Sequence, residues 1–208
     1  MDWSAALAHL AEADPKLAPV IARHGPPTLA PTDDPVQSLA RAIVSQQLSG
    51  AAASTIWGRF LALYHPAPRA DTGHRARFPK PAAILATPVD KLRGAGLSGA
   101  KAAAILDLAR HVAEKKVVPG KLAALSDDEI AAMLLPVRGI GPWSIHMFLM
   151  FSLARPDVLP TGDLGIRKGM QRHFRLRTLP DPAKMEKLAR PWAPYRTVAS
   201  WYMWRLLE

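Results

Sequence analysis

Residues 134–163 are LLPVRGIGPWSIHMFLMFSLARPDVLPTGD. A helix end runs into the short hairpin Pro136–Gly141, a second and very apolar helix follows, and Asp163 waits beyond it. Gly139 and Gly141 flank Ile140, so two side chains are missing where the chain turns. Backbone N–H groups at such a turn can closely approach a bulky anion, and the helix starting at Pro142 adds its positive dipole end. That arrangement holds a phosphate without a cationic side chain. A packed turn between two helices has the same spacing, so the pattern alone leaves both readings open.

Outward from this stretch, nearly every segment reads as helix. Asp34-Pro35 is an N-cap with a first-turn proline, and Val36, Leu39, Ala40 and Ile43 then repeat at helical spacing. Ser49 caps the next helix, whose apolar face includes Ile56, Phe60 and Leu63. Thr87-Pro88-Val89-Asp90 starts another, and Leu92–Leu97 is a glycine-rich turn. Ser98 opens a long helix through Ala102, Ile105, Leu106, Ala109 and Val112. Ser126-Asp127-Asp128-Glu129 is a capping box just ahead of the hairpin. Asp181-Pro182 starts a helix reaching about Arg190, and a final helix is expected from about Pro194 to Leu206. No period-2 strand stands out. Residues 64–81, rich in Pro, Arg and His, are expected as an exposed basic loop. The fold expected is all-α, with about ten short helices.

Composition narrows the partners. The 208 residues carry a formal charge of +10. Residues 155–208 hold 11 Lys or Arg against 5 Asp or Glu, so +6 of that excess lies in the last quarter. A basic chain of ordinary globular hydrophobicity suits a polyanion, which charge alone does not divide between nucleic acid and an anionic membrane. The chain has no cysteine, which excludes disulfides, thiolate zinc sites, iron–sulfur clusters and a thiol nucleophile. No signal peptide and no long apolar run is seen, so a cytoplasmic protein is expected. No long basic amphipathic helix marks a membrane-surface protein.

Several residues are candidates for chemistry. Asp163, in Pro160-Thr161-Gly162-Asp163-Leu164, reads locally either as a helix N-cap or as a carboxylate at the mouth of a site. Trp143, Trp192, Trp201 and Trp204 can pack in a core or stack on bases, and electron-rich rings favour cationic ones. Trp201 and Trp204, three apart, share a helix face and are expected to line one wall. Gln46 and Gln47 end an apolar helix, where two amides can read a minor-groove base edge or fill a gap in a base stack; a solvated helix end is the alternative. None of the seven histidines forms a ligand-spaced pair, and there is neither a GxSxG nor a P-loop.

Together these residues resemble the helix-hairpin-helix DNA glycosylases with a Gly/Pro-rich loop and Asp (HhH-GPD), and within them the bacterial 3-methyladenine DNA glycosylase II, or AlkA type. The resemblance runs from HLAEADPKLAPVIARHGPP through AIVSQQLS and LRGAGLSGAKAAAILDLA to LLPVRGIGPWSIHMFLMF, LPTGD and WAPYRTVASWYMW. It implies a single unit over 1–208 of two helical subdomains with a cleft between them and the helix-hairpin-helix at about 127–154. It also implies a monomer that grips double-stranded DNA containing alkylated bases, associates with the bacterial nucleoid, and flips the damaged nucleotide. In this resemblance Asp163 is the catalytic carboxylate, Trp143 and Trp204 form the base pocket, and Gln46, Gln47, Gly139 and Gly141 contact DNA.

The resemblance further implies that the carbonyls of Leu135, Val137 and Ile140 hold a monovalent cation, sodium or potassium; no other cofactor is required. Two departures stand out. The N-terminal mixed α/β lobe of many AlkA-type enzymes is expected to be absent, and Gln47 stands where the best-known wedge is aliphatic. Bifunctional relatives carry a lysine two residues after the second hairpin glycine, and its amine attacks the sugar. Here that position is Trp143, so hydrolysis of the N-glycosidic bond without strand cleavage is expected. The alternatives are a bifunctional glycosylase/lyase, with Lys168 as a less suitable amine, and a non-catalytic nucleic-acid-binding module.

Overall fold

A computed structural model describes residues 1–65 and 78–208. Most of the expected 64–81 loop therefore lies outside the described residues. The described chain contains no strand and forms twelve α-helices. They are α1 (Ser4–Ala13), α2 (Ala18–His24), α3 (Pro35–Ser45), α4 (Gly50–Ala62), α5 (Pro81–Leu85) and α6 (Val89–Gly94). There follow α7 (Gly99–Ala113), α8 (Asp127–Leu134), α9 (Pro142–Phe151), α10 (Leu164–His173), α11 (Pro182–Leu188) and α12 (Arg196–Arg205). The two beyond the expected ten are accounted for by short pieces such as α2 and α5, which offer too few turns for an apolar period to show.

Local caps set most of the helix starts. The Asp34 carboxylate accepts the Gln37 N–H at 2.9 Å, and Ser49, Ser98 and Asp181 receive the N–H of Ala52, Lys101 and Lys184. Ser126 and Glu129 complete the reciprocal capping box. Two boundaries differ from expectation. The helix after Asp181 stops at Leu188 and passes into a 3-10 turn at Arg190–Trp192. α12 begins at Arg196 because Asp157, far away in sequence, accepts the Arg196 N–H at 3.1 Å and both Nε and Nη2 at 2.7 Å. Leu63, expected on an apolar face, is exposed at the end of α4.

The chain divides into two units, one of residues 1–31 and 146–208, the other of residues 32–145. The first is built on Leu10, Leu17, Met170, Trp192, Tyr202 and Met203, all fully buried. Replacing a ring such as Trp192 by alanine there costs roughly 3–5 kcal/mol. Within this unit α10 packs on α12 at very close range, since a Cβ at Gly169 would collide with the Met203 backbone. A buried polar triad ties its ends together: Asp14 Oδ2 lies 2.7 Å from His173 Nε2 and accepts the Trp192 indole N–H at 3.0 Å. The second unit buries Leu39, Ile43, Phe60, Ile84, Leu92, Ile105, Leu108, Ile130 and Leu134, and α3, α5 and α6 all contact α7.

Candidate functional site

The hairpin forms as its sequence suggests. The Val137 N–H bonds the Leu134 carbonyl at 3.0 Å and the Ile140 N–H bonds the Val137 carbonyl at 3.1 Å, while Val137 and Ile140 are buried. The two glycines are there for different reasons. Gly139 has φ +79°, a backbone that strains any residue with a side chain, and a Cβ on it would press to 3.1 Å from the Ala104 methyl. A Cβ on Gly141 would meet nothing within 4 Å. Packing within the fold therefore does not require a glycine there.

Two long-range contacts brace this turn. Asp107 on α7 accepts the Arg138 N–H through Oδ2 at 2.9 Å and meets Arg110 through Oδ1 at 3.0 Å. Gln46 donates an amide N–H to the Gly139 carbonyl at 2.9 Å. The Arg138 amide is thus spent inside the protein, while its side chain is on an exposed residue beside the turn. Among the described residues no acceptor meets the N–H of Gly139 or Gly141. Those two amides, with the N-terminus of α9, make an anion cradle.

At the Gln corner the two amides part company. α3 ends at Ser45, one residue before the pair. Gln46 is half-buried and tied to the hairpin; Gln47 is exposed and adopts φ +56°, a left-handed conformation uncommon for a residue with a side chain. Of the two, Gln47 is the one presented to solvent.

Asp163 caps α10, accepting the Ile166 N–H on Oδ1 at 2.8 Å. The same oxygen accepts the Trp204 indole N–H at 3.0 Å, from a residue 41 positions away. A local cap needs only the first of these donors. Room for the second comes from Gly165, where a Cβ would lie 2.7 Å from the indole ring. Phe151, the last residue of α9, stacks on Trp204 with centroids 5.6 Å apart and planes 25° apart, and remains 45% exposed. Sequence reasoning missed Phe151. Leu164, beside the carboxylate, is also exposed. One unit thus assembles a carboxylate held by two donors next to an accessible aromatic stack.

Other expected residues fall elsewhere. Trp201 does not line a wall with Trp204: it is buried edge-on to Tyr202, with the Arg205 guanidinium 4.7 Å from its ring centroid. Trp192 is core. Trp143, in the other unit, is 46% exposed. Lys168 is exposed five residues after Asp163, on a different face of α10. Among the described residues no three His, Asp or Glu could jointly hold a metal, and no helix is long and apolar enough to cross a membrane.

Among the described residues the fold is all-helical, with a glycine hairpin between helices and an aspartate beyond it, and comparison with known proteins identifies its class. Residues 40–194 match the HhH-GPD superfamily of base excision DNA repair proteins. The chain belongs to that superfamily. It is 32% identical over 209 residues to the alkylbase DNA glycosidase-like protein mag2 of Schizosaccharomyces pombe, covering 99% of this chain and 94% of that one. Its structure matches the Schizosaccharomyces pombe 3-methyladenine DNA glycosylase Mag1 in complex with abasic DNA at TM-score 0.82 and 30% identity, over 97% and 96% of the two chains. It likewise matches a DNA-3-methyladenine glycosidase of Bacillus halodurans at TM-score 0.81 and 32% identity, over 97% and 88%.

Proposed function

We propose that this protein is a monofunctional DNA glycosylase that excises alkylated purines of the 3-methyladenine class from double-stranded DNA. The observation that carries the reading is the pair of donors on Asp163 Oδ1 beside the stack of exposed Phe151 on half-buried Trp204. Breaking an N-glycosidic bond builds positive charge on the sugar, and a fixed carboxylate stabilises it and orients the attacking water. Two N–H donors on Oδ1 fix the rotamer of the carboxylate. An N3-alkylated purine already carries positive charge and leaves readily, so little acid assistance is needed. Its cationic ring is attracted to the electron-rich face of an aromatic stack. Trp143 is assigned to the base by resemblance, and its exposure is compatible with that.

The Gly139 and Gly141 amides take a backbone phosphate, and Gln47 is the plug for the stack that the flipped nucleotide vacates. The Leu135, Val137 and Ile140 carbonyls are an all-oxygen donor set within one tight turn, chemistry that suits an alkali cation. The Val137 carbonyl already accepts the Ile140 N–H and offers a further lone pair. Such a cation would neutralise charge beside the bound phosphate. We assign the protein to the cytoplasm as a monomer acting on the nucleoid.

Trp143 stands where a lyase needs lysine, so reaction should leave an intact abasic strand, cut only by hot alkali added afterwards. Defined duplexes carrying 3-methyladenine, 7-methylguanine, 1-methyladenine, ethenoadenine or hypoxanthine rank the substrates. Borohydride added during turnover should trap no enzyme–DNA adduct, because reduction requires an imine. A strong trapped band that disappears on substitution of Lys168 would move the chain to the lyase branch.

A further inference from the structure

The Gln46–Gln47 corner is pinned by a residue that the reading above does not use. Lys101, in the first turn of α7, places its ammonium under the end of α3 and donates to the carbonyls of Val44 at 2.7 Å and Gln46 at 2.8 Å. Carbonyls at a helix C-terminus lack intrahelical donors, and a cation there also meets the negative end of the dipole. Burial pushes the Lys101 ammonium below the ordinary lysine range, an environment in which its charge-assisted bonds are strengthened. Gln46 in turn bonds the Gly139 carbonyl at 2.9 Å. Gln47 follows directly, held at φ +56°. A left-handed residue with a side chain persists where its surroundings over-determine it. Lys101 on the Gln46 backbone carbonyl and Gly139 on the Gln46 side-chain amide supply that determination.

We propose that Lys101 is a positioning residue that locks the corner, so that Gln47 projects at a fixed distance from the hairpin's phosphate contact and phosphate binding sets the depth of insertion. The proposal rests on Gln47 acting as the plug. Its test uses a duplex with 2-aminopurine beside the lesion, whose fluorescence rises when stacking is broken, alongside single-turnover excision and affinity for undamaged duplex.

Lys101→Met should lower both the fluorescence rise and excision by roughly tenfold while undamaged-duplex affinity stays within about threefold. Gln47→Ala should do the same, and the double variant should be no worse than either single one, because both act on one finger. Lys101→Arg, which keeps a cationic donor, should recover most of the loss. Multiplicative losses in the double variant, or equal losses of excision and undamaged-duplex affinity in Lys101→Met, would overturn the proposal. So would full flipping by Lys101→Met when Gln47→Ala is defective, an outcome that spares the plug. Full flipping by Gln47→Ala removes the plug itself and the proposal with it. Melting temperature accompanies each assay, and Lys101→Gln replaces Lys101→Met if the latter is unfolded.

Discussion

Asp34 at the start of α3 and Asp163 at the start of α10 look alike in sequence: each precedes an apolar helical period and each caps its helix. The Asp34 carboxylate accepts the Gln37 N–H at 2.9 Å, the ordinary capping bond. The Asp163 carboxylate accepts the equivalent bond from Ile166 and then a second, from the Trp204 indole on α12. A cap is satisfied by one backbone N–H. The second donor, the missing side chain at Gly165 that admits it, and the exposed Phe151 beneath it are not needed to start a helix. What separates the two carboxylates is what the rest of the fold brings to Asp163.

The largest expected effect follows directly. Asp163→Asn should lower base excision by about 10²–10⁴-fold, the scale of losing one transition-state charge stabiliser. Its melting temperature should change little, because Asn caps helices about as well as Asp. Asp34→Asn should leave excision unchanged. Near-normal excision by the Asp163 variant in a base-release assay would reduce Asp163 to a second Asp34.

The hairpin glycines offer a similar contrast with a smaller effect. Gly139→Ala should destabilise the protein by roughly 1–2 kcal/mol, since a methyl group would have to accept a left-handed backbone close to Ala104. Gly141→Ala should leave the melting curve in place, because its Cβ meets nothing, yet weaken binding to damaged and undamaged duplex alike. A loss confined to lesion DNA would show that Gly141 serves the base rather than the phosphate.

The smallest effect concerns the brace at the start of α12. Partial burial pulls the Asp157 carboxyl upward, but hydrogen bonds from the Arg196 side chain and N–H, then its charge, prevail and hold it below the usual range. A carboxylate depressed in the folded state contributes stability that is complete above its unfolded pKa of about 4 and lost as pH falls through the lower folded value. Melting temperatures of wild type and Asp157→Asn should therefore differ at pH 6, and the gap should close as pH falls through the depressed folded value. Both partners are about a third exposed, so the gap should be modest and shrink with salt. A gap that persists unchanged at low pH would assign the brace to packing.

Most of the helical architecture was legible because caps are local: Asp34, Ser49, Ser98, Ser126, Asp163 and Asp181 each satisfy an N–H three residues ahead. The hairpin was legible for the same reason. The rest was written between distant segments. Nothing near Asp163 announces Trp204, nothing near Gln46 announces Gly139 or Lys101, and nothing near Arg196 announces Asp157. The pairing of Trp201 with Trp204 on one wall was misjudged for a related reason. In α12, RTVASWYMWR, residues Thr197 to Met203 are all buried, so no polar face shows which ring points out. Phe151 closes α9, PWSIHMFLMF, where an apolar circumference does not show that Trp143 and Phe151 emerge while Phe148 is buried.

Whether the Trp204 indole N–H acts through Asp163 is decided by a double-mutant cycle on single-turnover base release. Trp204→Phe keeps an aromatic ring and removes the N–H. On its own it should slow excision by about tenfold or more, whereas in the Asp163→Asn background it should cost almost nothing further. Equal, multiplicative losses in both backgrounds would mean that Trp204 serves the base alone and that the hydrogen bond to Asp163 is incidental.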